Sequence, residues 1–207
     1  MTVIDERPAP LTGREAAGYD AARRAMIDSQ LRTSGVNEPW VLARMAILPR
    51  EDFVPEPWRS AAYIDRAVLL GDGHFLSAPL VYGRILGEAR PRRDDAALVV
   101  SASGYLAELL SPLVDAVELV APADGAAGSV KTSEATLLLI DGAIEQLPAA
   151  LTGRLTEGAR VVCGIIELGV TRLAVGRKTA GEVTFLPLAE IGIPVLPEFA
   201  APRRWSF

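Results

Sequence analysis

The spacing of hydrophobic and polar positions changes near Pro91. Upstream of it, apolar residues recur every three to four positions, and this period predicts amphipathic helices. The predicted helices begin near Glu15, at an Asn37 cap with Pro39 in the first turn, and at Ser77-Ala78-Pro79. The pattern therefore predicts a helical part over residues 15–90. Residues 1–14 contain two prolines and no period, which favours a flexible arm.

Downstream of Pro91, short continuous apolar runs predict strands that are buried on both faces. These runs are 97–100, 117–120, 136–140 and 160–166, with helices predicted over Tyr105–Leu113 and Ile144–Leu155. This alternation is typical of a parallel sheet with helices on both faces. Two β-like stretches, 171–176 and 182–186, predict an antiparallel hairpin at the sheet edge. Residues 15–207 are thus expected to form one α/β domain, with the sheet in residues 91–207.

The composition of the chain argues against several classes of function. The chain has 207 residues, a net charge of −5 and no basic cluster beyond arginine pairs at 23–24, 92–93 and 203–204, which are interpreted as solvated. Nucleic-acid binding is therefore not expected. No apolar run approaches the ~18–20 residues of a membrane span. The acidic N-terminus resembles neither a signal nor a transit peptide, so a cytoplasmic location is expected.

The single His and single Cys are too few for an ordinary zinc site or an internal disulfide, so no metal is expected. Cys163 lies within an apolar run and is interpreted as a packed core thiol. His74 is expected on a loop, either as a solvated side chain or as an acid or base near a cleft.

Seven short motifs give the sequence a resemblance to a known family. In chain order they are Met26-Ile-Asp-Ser-Gln-Leu-Arg, Val41-Leu-Ala-Arg-Met, Leu48-Pro-Arg-Glu-Asp-Phe-Val-Pro55, Ala62-Tyr63, Leu76-Ser-Ala-Pro79, Asp141-Gly-Ala-Ile-Glu-Gln-Leu-Pro148 and Phe185-Leu-Pro-Leu188. Together they resemble the protein-L-isoaspartate O-methyltransferase family. The resemblance implies a three-layer, Rossmann-like class I methyltransferase fold that binds S-adenosylmethionine. It also implies protein repair, by methylation of isoaspartyl carboxylates in damaged proteins or peptides.

The resemblance also assigns candidate site residues. Ser77 matches the family's active-site serine, while Ser101, Ser103 and Gly104 occupy the cofactor turn. Asp141 stands at a motif position where it would contact the cofactor. Structural alternatives remain open for two of them. Ser77 could cap the helix that begins at Pro79, and Asp141 could cap the turn that follows its strand.

The cofactor turn departs from the family pattern. The family has an acid and three spaced glycines there, whereas this chain has Val99, Ser101 and Ser103, and only Gly104 remains. A Cβ at a position that needs positive φ, or contact with a ligand, costs about 1 kcal/mol or more.

The connection after the second strand departs as well. No ribose-binding acid follows Val120, since Glu118 lies inside the strand and Asp124 beyond the turn, a weak substitute. Only fifteen residues, 121–135, lead to the next strand, which leaves room for a single crossover. A sheet reduced by about one strand–helix unit is therefore expected. The strand at 117–120 becomes an edge, paired in a homodimer or covered by the Ala/Gly-rich connection.

Three hypotheses follow. In the first, the chain is an active isoaspartyl methyltransferase, and Ser77 orients the substrate carboxylate. In the second, it is a catalytically inactive methyltransferase fold that acts as a binding or interaction module through its altered cleft or exposed sheet edge. In the third, the same cleft takes a changed ligand.

Overall fold

The computed structural model describes residues 13–201. The strands are β1 (Val68–Gly71), β2 (His74–Leu76), β3 (Ala96–Val100), β4 (Ala116–Val120), β5 (Ala135–Ile144), β6 (Leu155–Glu167), β7 (Val170–Thr179) and β8 (Glu182–Glu190). The helices are α1 (Gly13–Met26), α2 (Pro39–Ile47), α3 (Pro79–Ala89), α4 (Tyr105–Leu110), α5 (Pro122–Ala127) and α6 (Ala149–Thr152). A π-helical turn, Ile27–Leu31, extends α1, and 3-10 turns follow at Arg50–Phe53, Glu56–Ala61, Ser111–Leu113 and Pro197–Phe199.

Six strands form the main sheet in the order β4-β3-β5-β6-β7-β8. The first four are parallel, and β7 and β8 add to β6 as an antiparallel hairpin. The predicted α/β fold, mostly parallel with a C-terminal hairpin, is confirmed. β4 is an edge strand because the short connection through α5 leads directly to β5, which pairs on the other side of β3.

Two apolar layers cover the sheet. Alternate residues of β3 divide between them, with Val99 in the first layer and Val100 in the second. Helices α1 to α4 form the first layer. The second is formed by α5, α6 and the chain that follows β8. None of the helices within residues 13–201 is long and apolar enough to cross a bilayer.

The C-terminal strap, residues 194–201, lies along the carboxyl end of β5. The Ala143 N–H donates to the Pro194 carbonyl at 2.8 Å, and the Leu196 N–H donates to the Ala143 carbonyl at 2.9 Å. Leu196 and Phe199 are buried in the second layer. The strap therefore covers sheet surface that α6, a helix of only four residues, leaves open.

Several local predictions were wrong. The helix expected over Ile144–Leu155 is reduced to α6, because β5 continues to Ile144 and pairs with β6. The β1–β2 hairpin lies inside the part expected to be helical. Glu38, not Asn37, precedes α2, and it makes no side-chain cap. Helix α1 begins at Gly13, while the rest of the expected arm lies outside the described residues.

Candidate functional site

A buried carboxylate at the carboxyl end of the parallel strands gathers three hydroxyl groups. Asp141 of β5 accepts at Oδ1 from the Ser77 hydroxyl at 2.9 Å. Its Oδ2 accepts from Tyr82 and from Ser101, each at 2.8 Å. We name these four residues the hydroxyl–carboxylate cluster. Each is buried, with Ser77 and Tyr82 fully inaccessible.

Three elements bring the cluster together. Ser101 follows β3, Asp141 lies in the adjacent β5, and Ser77 precedes α3. Tyr82 lies one turn into α3 and also accepts the Ser77 N–H at 3.1 Å. The structure thus places three of the residues singled out by resemblance in direct contact. Tyr82 was missed, although a tyrosine on the buried face of a helix usually needs a polar partner.

The structure contradicts the capping alternatives for Ser77 and Asp141. Ala78 is the residue that precedes α3, and no side chain caps that helix. Asp141 lies within β5 and accepts hydroxyl groups from distant segments instead of capping the next turn. The Ser77 hydroxyl and the Asp141 carboxylate are therefore hydrogen-bonded to each other and cap no helix or turn.

Burial controls the electrostatics of the cluster. It raises the pKa of Asp141, because an ionised carboxylate loses its hydration. The hydrogen bonds from Ser101, Tyr82 and Ser77 and the positive charge of Arg50 act in the opposite direction without cancelling that rise. Burial and the neighbouring Asp141 also hold the pKa of Tyr82 well above its ordinary value.

Arg50 holds the backbone beside the cluster, although it was not singled out in its motif. This fully buried side chain donates from Nε to the Ala62 carbonyl at 2.6 Å, and from Nη2 to the Ser77 carbonyl. Its guanidinium lies 5.3 Å from the ring centres of both Tyr82 and Tyr105. The position of Ser77 is therefore fixed through its main chain as well as its side chain.

A second buried group supports the turn that carries Arg50. Arg23 donates from Nη2 to Glu51 at 3.1 Å and from Nε to the Tyr63 hydroxyl at 2.7 Å. That hydroxyl donates to Glu51 and accepts the Arg50 N–H. The interpretation of the pair at 23–24 as solvated was wrong for Arg23, which is 8% exposed. The pair at 203–204 lies outside the described residues.

The turn after β3, residues 101–104, is closed by its own serines. The Ser101 hydroxyl accepts the N–H groups of Ser103 at 3.2 Å and Gly104 at 3.3 Å. The Ser103 hydroxyl accepts the Tyr105 N–H at 3.2 Å. Gly104 adopts φ +77°, a left-handed conformation that favours glycine. The N–H groups of Ser103, Gly104 and Tyr105 therefore already have hydrogen-bond acceptors within the chain.

The residue that directly follows β4 is Ala121, not an acid. Ala121 precedes α5, and Asp124 lies exposed in its first turn. The Glu118 carboxylate accepts the N–H groups of Lys131 at 2.7 Å and Thr132 at 2.6 Å. It therefore fastens the loop after α5 to the edge strand.

The strap also closes space beside the cluster. A Cβ added at Gly142, the residue after Asp141, would overlap the Leu196 side chain. A Cβ added at Gly125 of α5 would lie 2.9 Å from Val100 and 3.5 Å from Phe199. The carboxyl ends of β3 and β5 are thus packed against strap and α5 on the second-layer side.

The remaining candidates lie elsewhere. His74 is on β2, not on a loop, and its Nε2 lies 2.7 Å from Glu198 of the strap. Cys163 is fully buried in the second layer, as expected, and burial raises the pKa of its thiol. Within residues 13–201, no group of three or more His, Cys, Asp or Glu side chains is placed to hold a metal ion.

Comparison with known proteins assigns the fold. A crystal structure described as protein-L-isoaspartate O-methyltransferase from Plasmodium falciparum, in complex with S-adenosyl-L-homocysteine, matches with a TM-score of 0.68 at 16% identity. The match covers 87% of this chain and 98% of that one. A second protein-L-isoaspartate O-methyltransferase structure matches with a TM-score of 0.66 at 15% identity, over 84% of this chain and 65% of that one. The architecture is therefore the Rossmann-like α/β fold of methyltransferases.

Sequence comparison assigns the family. The family described as Protein-L-isoaspartate(D-aspartate) O-methyltransferase (PCMT) matches residues 21–137. Protein-L-isoaspartate O-methyltransferase 2 of Anaeromyxobacter sp. (strain Fw109-5) is 32% identical over 173 residues, 72% of this chain and 71% of the relative. The Koribacter versatilis (strain Ellin345) protein-L-isoaspartate O-methyltransferase is 31% identical over 194 residues, 82% of this chain and 87% of the relative. The chain belongs to the protein-L-isoaspartate O-methyltransferase family.

Proposed function

We propose that this chain is a family member that does not transfer methyl groups and acts as a binding module. The observation that carries the proposal is the closed hydroxyl–carboxylate cluster. At the active-site position, the Ser77 hydroxyl is fully inaccessible and donates to Asp141. A substrate carboxylate would have to displace a charge-assisted hydrogen bond inside the core, where such bonds are strong.

The cofactor position supports the same proposal. S-adenosylmethionine carries a carboxylate, an ammonium group and ribose hydroxyls, which need polar partners once they leave water. Here Ser101 and Ser103 already accept amides of the turn. Ala121 stands where the ribose acid is expected, and Leu196 packs against Gly142. In this proposal the described residues do not fit the cofactor.

One observation favours methyl transfer as a second candidate. Ser77, Ser101 and Asp141 converge at the carboxyl ends of β3 and β5, where the family resemblance implies cofactor and active site. In this alternative the cluster opens, and the freed Ser77 hydroxyl orients the isoaspartyl carboxylate.

Calorimetric titration with S-adenosylmethionine and S-adenosylhomocysteine tests the proposal. We expect no binding by the folded wild-type chain up to millimolar ligand. The variant Ser101→Gly, Ser103→Gly, Ala121→Glu restores the missing groups and should gain measurable heat if those groups are what the site lacks. Ala123→Glu, an exposed position in α5, is the matched control for the added charge. Micromolar binding by the wild type would overturn the argument from the closed turn.

Methylation of an isoaspartyl peptide tests the second candidate directly. The wild-type chain is assayed beside one of the curated relatives and beside Ser77→Ala, with the exposed Ser34→Ala as control. Turnover that Ser77→Ala abolishes and Ser34→Ala preserves would establish methyl transfer in place of our proposal.

As the partner of this binding module we propose a second copy of the chain, paired through β4. Within residues 13–201, β4 pairs only with β3, and Leu119 of this strand is 48% exposed. An apolar edge strand of this kind favours pairing with another strand. Light scattering during gel filtration should give a dimer mass for the wild type and a monomer mass for Leu119→Lys. Leu188→Lys on the opposite edge strand should remain dimeric, and a monomeric wild type would refute this interface.

A further inference from the structure

A groove lies on the side of the sheet that the second apolar layer covers, and it shares no residue with the hydroxyl–carboxylate cluster. It lies between the loop after β5, helix α6 and the start of β8, and its volume is about 470 Å³. Volumes of about 300–1,000 Å³ are usual for sites that bury a small ligand. The groove is therefore large enough to accept aromatic side chains.

The groove is lined by both acidic and apolar side chains. Glu145 and Glu182 are exposed carboxylates on its wall, and Ile165, Val183 and Phe185 supply partly buried apolar surface. Among the described residues no Lys, Arg or His lines it. These groups suit an occupant that carries both positive charge and aromatic rings.

The strap leads the chain directly to this groove. The Phe199 carbonyl accepts the N–H groups of Glu145 at 3.2 Å and Gln146 at 3.3 Å. The Ala201 N–H then donates to the Glu145 carboxylate at 2.7 Å. The last described residue is therefore fastened to a side chain of the groove wall.

The sequence beyond this point has the matching chemistry. Residues 202–207 read Pro-Arg-Arg-Trp-Ser-Phe, with two arginines and two aromatic residues in six positions. At ~3.3–3.6 Å per extended residue they reach roughly 20 Å, enough to enter a groove that adjoins Ala201. Two arginines also match the two glutamates in number and sign.

We propose that residues 202–207 dock into this groove of their own chain, with aromatic side chains on the apolar surface and arginines toward Glu145 and Glu182. Most of the stabilisation comes from the aromatic surface, because exposed ion pairs contribute only about 0–1 kcal/mol. The arginines select the acidic groove over other apolar surface. Attachment at Ala201 supports docking, because a short linker gives the segment an effective concentration in the millimolar range.

Fluorescence of Trp205 in the full chain tests the proposal. The difference between the emission spectra of the wild type and Trp205→Phe isolates this tryptophan from Trp40 and Trp58. We expect its emission at shorter wavelength than that of the free peptide Pro-Arg-Arg-Trp-Ser-Phe, with several-fold weaker quenching by acrylamide. Emission and quenching equal to those of the free peptide would overturn the proposal.

Charge reversal identifies the groove. The double variant Glu145→Lys, Glu182→Lys should move the Trp205 emission toward that of the free peptide, whereas the exposed control Glu134→Lys should leave it unchanged. If Trp205 is buried in the wild type and its emission is unchanged in the double variant, the segment lies elsewhere and the assignment to this groove is refuted. A shift that appears only as dimers form on concentration would assign the segment to a second copy and overturn docking within one chain. None of these results depends on methyl transfer.

Discussion

Replacement of Asp141 by alanine is expected to be among the most destabilising single changes at the candidate site. The carboxylate is the common acceptor for Ser77, Tyr82 and Ser101, and it is only 4% exposed. Asp141→Ala leaves these hydroxyls without their acceptor in a region that water does not reach. Buried polar groups without partners are costly.

The magnitude follows from the three hydrogen bonds. Each hydroxyl that loses its acceptor costs about 1–3 kcal/mol. Part of this is regained, because the buried carboxylate no longer has to be desolvated and because the small hydroxyls can turn to other acceptors. We therefore expect Asp141→Ala to lower the free energy of unfolding by about 3–5 kcal/mol. Asp141→Asn keeps an acceptor oxygen and should lose less.

Equilibrium unfolding in urea, followed by circular dichroism, measures these changes in the free energy of unfolding. The exposed Asp115→Ala serves as control and should change the free energy of unfolding by less than about 0.5 kcal/mol. A loss below about 1 kcal/mol for Asp141→Ala would refute the view that this carboxylate holds the cluster together.

The pH dependence supplies an independent check on the same group. Because burial raises the pKa of Asp141 in the folded state, the folded chain binds its proton more tightly than the unfolded chain. The stability that this proton contributes is complete below the unfolded value of about 3.9 and is lost as pH rises through the folded pKa. The free energy of unfolding of the wild type, relative to Asp141→Asn, should therefore decline as pH rises from about 4. The opposite trend would contradict the raised pKa.

Three further predictions concern other parts of the fold. Cys163 should react with Ellman's reagent only after unfolding in urea, since its thiol is buried and burial raises its pKa; rapid reaction of the native chain would contradict this. Asp95 precedes β3, and its buried carboxylate accepts the Arg92 N–H, the Thr136 hydroxyl and a guanidinium N–H of Arg160. Asp95→Asn should lower the free energy of unfolding at pH 7 by about 1–3 kcal/mol. Burial acts to raise the pKa of Asp95, but hydrogen bonds to its carboxylate outweigh burial and lower it, so the loss should vanish as an acid titration falls through the folded pKa. Gly142→Ala should cost about 1–3 kcal/mol in thermal unfolding through overlap with Leu196, whereas Gly192→Ala, with open space around it, should change little.

The main sheet could be predicted because its strands are short apolar runs with clear ends. The limited length of residues 121–135 also predicted correctly that β4 lies at an edge. The helix over Ile144–Leu155 failed for a long-range reason. Ala143 and Ile144 extend β5 by pairing with β6, and Ala143 also bonds to the strap about fifty residues later. The local spacing of hydrophobic residues does not indicate such a long-range pairing.

The residues of the candidate site, the hydroxyl–carboxylate cluster and the adjacent Arg50, also differ in how far the sequence predicts them. Ser77 and Asp141 stand in sequence motifs, so the family resemblance singled them out. Tyr82 and Arg50 owe their positions to contacts across 59 and 27 residues of chain. Tyr82 lies outside the quoted motifs, and Arg50 lies inside one but stands beside Glu51 and Asp52, so nothing local marks either residue as buried or identifies its partner.

Ser101 couples the turn after β3 to the hydroxyl–carboxylate cluster. Its hydroxyl donates to Asp141 while it accepts the N–H groups of Ser103 and Gly104. A glycine at this position would free both amides and remove one donor from the carboxylate, so the turn and the cluster would loosen together. A gain of cofactor affinity by the glycine variant is therefore coupled to a loss of stability. Measuring its free energy of unfolding beside its calorimetric titration separates a site that reopens from a chain that merely unfolds.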